Sequence, residues 1–366
     1  MPIISIQAND TLFFRDGRPF SMGEESFAQG IFPPPPSVVH GAVRTVFVAQ
    51  MLDNGNSKEE GILLSAGLTI LRIALHSTTD GYESSDFLFP KPADLIIPKP
   101  KINRQPEAIF LDREKHNIHS SYTLPQVLVS PTNEKTEEEA HLMSHSELIN
   151  YLNGDGSRFS VRPLSSFLLT ETKIGIGRSF DSRTVENGKL FRVMTNRPAT
   201  VDKNGSIQRL CVAVDYKGID IPEKGLLAFG AEFRTATYAK TTMESIPCPD
   251  LGGALEFKIY LTTPAVFASG WKPENLLTTH SLELCAAAFE RSLPIGGWDL
   301  ENRLPKTMVQ TVAAGAVYYV KAQTAEIAQK AALAIHNTAI SDMLNKTNYA
   351  SQGFGIALVG KITQKI

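Results

Sequence analysis

The stretch that decides the fold begins Phe13-Phe14-Arg15-Asp16-Gly17-Arg18-Pro19-Phe20 and follows an alternating apolar segment. The alternation over residues 3–14 predicts a β-strand. Such a strand brings Arg15 and Arg18 to its exit, so the sequence predicts a positively charged loop there. The alternative is that Arg15 and Asp16 pair with each other or cap the strand.

A helix is predicted directly after four consecutive prolines. Residues 32–45 read Phe-Pro-Pro-Pro-Pro-Ser-Val-Val-His-Gly-Ala-Val-Arg-Thr. The proline run ends where a helix can begin, and Ser37 is the expected N-cap residue. His40 and Arg44 are four positions apart, so the helix places both on one face. The alternative for His40 is that it satisfies a local backbone group.

A second group of cations lies on a predicted hairpin. Two strand-like runs within residues 172–195 flank a turn region that ends in Asn187-Gly188. The hairpin carries Lys173, Arg178 and Arg183, and long cationic side chains on a hairpin suit contact with a phosphate backbone. An ordinary solvated hairpin with scattered charges is an equally supported alternative.

A third group lies between residues 294 and 307, where Gly-Gly precedes Trp298, and Arg303 and Lys306 follow. A flexible loop with one indole ring and two cations can stack a base and hold its phosphate. The alternative is that Trp298 covers the core of a domain.

The last group is the glycine-rich run Gly353-Phe354-Gly355 near the carboxyl end. The glycines would let RNA phosphates approach the backbone, and Phe354 supplies one aromatic ring. A turn that requires positive φ is the alternative. Residues 355–361 also match the G-x-x-x-x-G-K part of a phosphate-binding loop, but the intervening residues are apolar and no helix can follow, so we interpret this as chance.

These stretches together resemble the RAMP superfamily, the RNA-handling subunits of CRISPR effector complexes, and most closely the family of the third subunit of the type III-B (Cmr) complex. The resemblance implies an α+β fold of two ferredoxin-like (RRM-like) RAMP modules, with a large insertion in the first. It implies a non-catalytic subunit that holds the repeat-derived 5′ end, or 5′ tag, of the CRISPR RNA (crRNA). The implied protein partners are the large polymerase-like subunit and the backbone RAMP subunit of that complex.

No cofactor, metal ligand or catalytic residue is expected on this interpretation. The RNA-binding residues that it implies are Arg15, Arg18, His40, Arg44, Lys173, Arg178, Arg183, Trp298, Arg303, Lys306, Gly353, Phe354 and Gly355.

We expect two modules, residues 1–250 and residues 251–366. The first begins with a β-α-β pattern and is interrupted at about 77–170 by a segment rich in proline and acidic residues. The turn-forming run at residues 247–253 is the predicted linker. The second module has its own strand and helix signals and carries the glycine-rich loop.

Composition limits the function. The 366 residues carry a formal net charge of −2, so the protein has no global positive field, and RNA contact requires a local cationic surface. The three cysteines stand apart from one another and from histidines, which indicates neither a zinc site nor a disulfide framework. The sequence shows no signal peptide and no run of about 18 apolar residues, so we expect a cytoplasmic protein without membrane contact.

Two other functions remain open from the sequence. The protein could be a metal-independent endoribonuclease that processes CRISPR transcripts with His40 as general base. No second histidine, tyrosine or lysine stands at a recognisable partner spacing, so RNA contact is favoured over cleavage. It could also be a purely structural assembly subunit whose basic loops pair with acidic surfaces of neighbouring proteins.

Overall fold

A computed structural model of the chain describes residues 2–15, 27–79, 82–99, 106–115, 124–201, 205–232, 234–299 and 304–362. Within them the protein is a strand-rich mixed α/β structure with two main sheets. None of the described helices is both long and apolar enough to cross a membrane. The helices are α1 Pro36–Asp53, α2 Lys58–Leu64, α3 His145–Asn153, α4 Glu274–Thr279 and α5 Ala325–Ile335.

The strands are numbered in chain order. Those before residue 250 are β1 Ile3–Ala8, β2 Phe27–Gln29, β3 Thr69–Thr79, β4 Tyr82–Pro90, β5 Leu95–Ile96, β6 Glu107–Phe110, β7 Asp112–Lys115, β8 Gln126–Val129, β9 His141–Ser144, β10 Arg158–Ser160, β11 Arg162–Pro163, β12 Leu169–Arg178, β13 Val185–Arg197, β14 Ala199–Val201, β15 Ile207–Lys217, β16 Lys224–Ala228 and β17 Thr235–Lys240. The others are β18 Glu256–Leu261, β19 Leu282–Ala288, β20 Leu293–Ile295, β21 Trp298–Asp299, β22 Leu304–Pro305, β23 Val309–Thr311, β24 Val317–Ala322, β25 Thr338–Ala339, β26 Met343–Leu344, β27 Thr347–Asn348 and β28 Ile356–Gly360.

The first main sheet has nine strands. Its path is β11-β9-β4-β3-β15-β1-β17-β16, with β14 beside β15, and all of these pairs are antiparallel. Helix α1 joins the core of this sheet through Val39, Ala42 and Val43, which share one helical face. The helix begins at Pro36, so its N-cap is Pro35 and not Ser37 as the sequence predicts. Proline is favoured in the first turn because its missing N–H would have no partner there.

The second main sheet has the order β19-β24-β18-β28-β25, again with antiparallel neighbours. Helix α5 packs on it through Ala328, Ala331, Ala332 and Ile335, whose spacing follows the helical repeat.

The two sheets share one strand order. Four adjacent strands of each sheet can be compared: in chain order they are β1, β3, β15 and β17 in the first sheet, and β18, β19, β24 and β28 in the second. Both sets are arranged second-third-first-fourth, and a helix follows the first strand in each, α1 and α4 respectively. After the third strand the second sheet has α5, whereas the described residues between β15 and β17 form strand β16.

Residues 77–170 build onto both sheets. Strands β4, β9 and β11 extend the first sheet, and α3 packs against β28 of the second. The backbone N–H of Lys361 donates to the Leu152 carbonyl at 2.7 Å, and the Tyr260 hydroxyl donates to the Pro90 carbonyl at 2.5 Å. This segment therefore helps to join the two halves of the molecule.

Three local expectations need correction. The strand predicted over residues 3–14 ends at Ala8, and beyond it the chain forms only isolated β-bridges at Leu12 and Arg15 among the described residues. The hairpin predicted within 172–195 turns between β12 and β13, because Asn187-Gly188 is already part of β13. The sequence also predicts one closing strand of the first module over residues 225–234, whereas the structure has two strands, β16 and β17, separated by a turn at Gly230, whose φ is +99°.

Candidate nucleic-acid interface

The exit of the first strand meets the base of the β12–β13 hairpin. Leu12 and Asn196 exchange backbone hydrogen bonds of 2.7 and 2.8 Å, and the N–H of Gly30 donates to the Met194 carbonyl at 3.0 Å. Arg15 is exposed and forms a β-bridge with Gly30. The structure therefore places Arg15 beside the hairpin. Arg18 lies outside the described residues.

The hairpin, together with β2, forms a small sheet apart from the two main ones. One of its faces carries Ile174 and Ile176, which are 65% and 47% exposed, and Arg192 lies opposite Ile174 in register. Arg192 is exposed and forms no ion pair with a described carboxylate. This face therefore combines exposed apolar side chains with a cation, although Arg192 is absent from the residues expected from the sequence.

At the tip of the hairpin, the Arg178 guanidinium donates through Nε to the Arg183 carbonyl at 3.0 Å. Arg183 has a φ of +54°, so it makes the turn. Phe180 between them is 97% exposed. Both arginines are exposed, and neither is paired with a carboxylate in the described part of the chain.

Lys173 differs from these arginines because it contacts a carboxylate. Its ammonium lies 3.8 Å from the Glu232 carboxylate on the turn before β17. Asp10 accepts from Arg197 at 3.0 Å and from Arg234 at 2.6 Å, and Arg197 also pairs with Glu171. These ion pairs tie the base of the hairpin to the first sheet, so Lys173 is less available to a phosphate than sequence analysis indicates.

A second cationic site forms where α1 meets the loop that precedes β23. His40 and Arg44 lie on α1, and the backbone N–H of Lys306 donates to the Gly297 carbonyl at 2.9 Å. The pKa of His40 is lowered to about 4, mainly by burial; a hydrogen bond to the Leu68 backbone opposes this shift, and the positive charges of Arg44 and Lys306 add to it. His40 thus lies within electrostatic range of both cations, although the two come from opposite halves of the chain.

Arg44 is held by a neutral partner. Its Nε donates to the Ser65 hydroxyl at 2.8 Å, and it makes no ion pair with a described carboxylate. Lys306 is exposed and likewise has no carboxylate partner within the described ranges. Both charges therefore remain available to an anionic ligand.

The glycine-rich loop is a structural joint between the sheets. Gly353 and Gly355 have φ values of +89° and +72°, and a Cβ at Gly353 would lie 2.8 Å from the Ile70 side chain. The N–H of Ile70 donates to the Ser351 carbonyl at 2.9 Å. Close packing and positive φ therefore account for both glycines, which was the alternative considered from the sequence.

Phe354 requires a correction. Its side chain is fully buried and packs edge-on against Tyr349, with ring centres 5.4 Å apart. A buried ring offers no face to a base, so Phe354 contributes to the core and not to an RNA surface.

Trp298 opens β21, which pairs with β22. Its side chain and all of Arg303 lie outside what the structure describes. Among the described residues no group of three or more His, Cys, Asp or Glu side chains could hold a metal ion. What the described site offers chemically is two groups of cations, Arg44 with Lys306 and Arg178 with Arg183, that have no described carboxylate partner, the second group near exposed apolar side chains. This suits phosphate backbone contact with unpaired bases nearby.

Comparisons with known proteins give one family. A family model described as CRISPR-associated protein (Cas_Cmr3) matches residues 4–362. A search of curated proteins found no match.

Three of the solved structures that match have identities of 11–16%. One is a chain of the type III-B Cmr-beta complex bound to cognate target RNA and AMPPnP, with 14% identity over 89% of this chain and 86% of that chain, and a TM-score of 0.48. A second Cmr-beta structure with cognate target RNA gives 16% identity, 87% and 86% coverage, and a TM-score of 0.49. A chain of the Csm3-Csm4 subcomplex of the type III-A CRISPR-Cas interference complex gives 11% identity, 98% and 99% coverage, and a TM-score of 0.40.

Proposed function

The chain belongs to the Cas_Cmr3 family of CRISPR-associated proteins, and from this premise we propose that it is the RNA-binding subunit of a type III-B effector that holds the repeat-derived 5′ end of the crRNA. One observation carries the proposal. Arg44 and Lys306, from the two halves of the chain, both act electrostatically on His40, and neither is neutralised by a described carboxylate. Convergent free cations are the arrangement that a phosphate backbone requires in a protein with no net positive charge.

The shared strand order supports the fold that we propose for both halves. The order second-third-first-fourth in an antiparallel sheet, with helices after the first and third strands, is that of the ferredoxin-like split β-α-β module. Residues 251–366 contain both helices, and residues 1–250 contain the first. We therefore assign two RAMP modules with the boundary near residue 250 and the elaboration at about 77–170.

The phosphate contacts that we propose extend from the Arg44–Lys306 site to the hairpin. Arg15 lies at the hairpin base and Arg178 and Arg183 at its tip, while Ile174 and Ile176 provide apolar contact for unstacked bases. The proposed surface also includes the other residues implied by the sequence, with a lesser role for paired Lys173: Arg18, Lys173, Trp298 and Arg303.

The proposed role is binding without cleavage in a cytoplasmic assembly, with the large polymerase-like subunit and the backbone RAMP subunit as neighbours. With its pKa lowered to about 4, His40 is a weak proton acceptor at neutral pH. This argues against the endoribonuclease alternative, in which His40 is the general base.

The test uses a single-stranded RNA that carries the repeat-derived 5′ segment. Its binding to the purified chain is measured by fluorescence anisotropy at several salt concentrations. If roughly five phosphates are neutralised, the slope of log K against log salt is about −3.5. The double variant Arg44→Ala/Lys306→Ala should bind more weakly, with a slope shallower by about 1.4. Lys330→Ala, which removes an exposed lysine from α5, is the matched control and should behave as wild type.

Two results would overturn the proposal. A flat salt response with no specific binding would favour the purely structural assembly subunit. Metal-independent cleavage of repeat RNA that His40→Ala abolishes would establish the endoribonuclease instead.

A further inference from the structure

Helix α2 holds three consecutive apolar side chains in solvent. Ile62, Leu63 and Leu64 are 41%, 73% and 50% exposed, and Leu52 at the end of α1 is 47% exposed. A run of this kind on the surface of a helix is unfavourable for solubility unless another molecule covers it. We call these four residues the α2 face.

The exposure follows from how α2 is anchored. The Ser57 hydroxyl caps the helix by accepting from the Glu60 N–H at 3.1 Å. Gly61 turns towards α1, where a Cβ would lie 3.4 Å from Met51 Cβ and 3.5 Å from Val48 Cγ1. Because two positions along a helix correspond to a rotation of roughly 200°, an inward Gly61 directs Leu63 outward.

The charges around the α2 face are mainly acidic. Asp53, Glu59 and Glu60 are exposed beside a single cation, Lys58. Such a rim repels a phosphate backbone, so nucleic acid is a poor occupant. It complements a protein surface whose apolar centre is bordered by lysine and arginine.

The α2 face is continuous with the cationic site. Ser65, directly after Leu64, donates its hydroxyl to the Ile62 carbonyl at 2.6 Å and accepts from Arg44 Nε at 2.8 Å. A protein seated on α2 would therefore lie next to Arg44, with its own cations facing the acidic rim.

We propose that the α2 face is the docking surface for a protein subunit that presents an apolar ridge flanked by lysine and arginine side chains. The inference rests on the proposed function for the existence of an assembly and adds the surface and the chemistry of the partner. The basic border of this partner would continue the cationic surface beyond Arg44, so that one RNA strand could contact both proteins.

The experiment measures association of the full chain with the purified large subunit and, separately, with the purified backbone RAMP subunit of its own effector. Leu63→Glu should weaken binding to one of them by at least about tenfold, whereas Leu333→Glu should change it by less than about twofold. Leu333 is a matched control because it is a leucine on another helix, α5, and is 62% exposed. The charge reversal Asp53→Lys/Glu59→Lys should also weaken that association, and more strongly at low salt.

The outcomes separate this inference from the proposed function. The inference would be overturned if the Leu63→Glu variant and the charge-reversal variant both associated with each of the two subunits as tightly as wild type does. It would also be overturned if the chain self-associated and Leu63→Glu abolished that self-association, because the occupant of the α2 face would then be a second copy. Leu63→Glu should still bind the 5′-segment RNA alone, and the charge reversal, which adds two lysines near the Arg44 site, should bind it at least as tightly as wild type does. Failure of wild type to bind that RNA would refute the proposed function and leave the docking result to be judged on its own.

Discussion

The ammonium nitrogen of Lys258 lies 3.3 Å from the centre of the Tyr151 ring, and both residues are fully buried. Phe110 contributes a second ring at 4.8 Å, while Lys258 Nζ has no hydrogen-bond partner among the described residues. The buried Asp94 carboxylate accepts from the hydroxyls of Tyr151 and Tyr319 at 2.8 and 2.7 Å. Segment 77–170 therefore contacts the second sheet at the buried Lys258 side chain, whose amino group packs against the faces of the Tyr151 and Phe110 rings.

This contact predicts an unusual dependence of stability on pH. Burial lowers the pKa of Lys258 from 10.5 to about 7, although the charge of Asp94 opposes the shift. Between pH 7 and 10.5 the unfolded chain then binds more protons than the folded one, so this group raises the free energy of unfolding with pH, by up to about 1.4 kcal/mol per pH unit. Urea unfolding at pH 7, 8 and 9 should show Lys258→Met with a smaller rise than wild type.

At pH 7 the same variant should be about as stable as wild type or more stable, because replacing a buried charge by an apolar side chain of similar length removes its desolvation cost. Burial also lowers the pKa of Lys91. Its contribution to the pH dependence is the same in both proteins, so it cancels when the free energy of unfolding of the variant is subtracted from that of wild type. If the free energy of unfolding rose equally with pH in the two proteins, Lys258 would have to stay charged in the folded state.

Gly353→Ala should destabilise the protein without a direct effect on RNA. The new Cβ would meet the Ile70 side chain at 2.8 Å in a residue with φ of +89°, so strain and overpacking together should cost about 2–4 kcal/mol. Gly55→Ala is the control, because Gly55 has a φ of +87° but no atom within 4 Å of its added Cβ. If Gly353→Ala and Gly55→Ala lowered the Tm of thermal unfolding equally, crowding against Ile70 would contribute nothing to the destabilisation.

The ion pairs of Asp10 should restrain the hairpin more than they stabilise the fold. Asp10 contacts Arg197 of β13 and Arg234 before β17; the shared Asp10 carboxylate is 56% exposed and so solvated in both pairs, although the Arg234 side chain is only 10% exposed. Exposed pairs contribute about 0–1 kcal/mol each, so Asp10→Asn should change global stability little. Hydrogen exchange in β12 and β13 should nevertheless accelerate, and unchanged exchange there would mean that backbone pairing alone fixes the hairpin.

Local periodicity predicted the elements better than their arrangement. Helix α1 is visible from Val39, Val43 and the proline run, and β12–β13 from alternation around glycines. The pairing of β15 with both β1 and β3 is not visible, because it joins segments distant in sequence and depends on the whole core. The turn signal at Asn187-Gly188 was overridden, since those residues complete the ladder of β13.

The candidate site was predictable as a list of cations but not as a surface. Arg44 and Lys306 both stood out by type, whereas their convergence depends on how the two halves pack. Phe354 was misassigned because Gly353-Phe354-Gly355 resembles the glycine-rich loop of RAMP proteins, whereas here the glycines allow close approach around a buried ring. Arg192 was recognisable from the sequence only as one more cation in the second run of the predicted hairpin; its position opposite the exposed Ile174 depends on the register, which the predicted turn did not give.

RNA binding should raise the pKa of His40. Its two neighbouring cations, Arg44 and Lys306, add to the effect of burial in lowering that pKa to about 4, since positive charge disfavours the imidazolium. Lys306→Met should therefore raise it modestly, and phosphates bound beside the two cations should raise it in the wild type. An NMR titration of the ring protons, assigned with His40→Gln, measures both shifts.

His280 provides the internal reference for this titration, because burial alone lowers its pKa. Neither Lys306→Met nor the 5′-segment RNA should move it. A His40 pKa that stays constant while the RNA binds would place the phosphates away from Arg44 and Lys306. The hairpin arginines Arg178 and Arg183 would then be the next cations to test for a contribution to the affinity, because neither pairs with a described carboxylate.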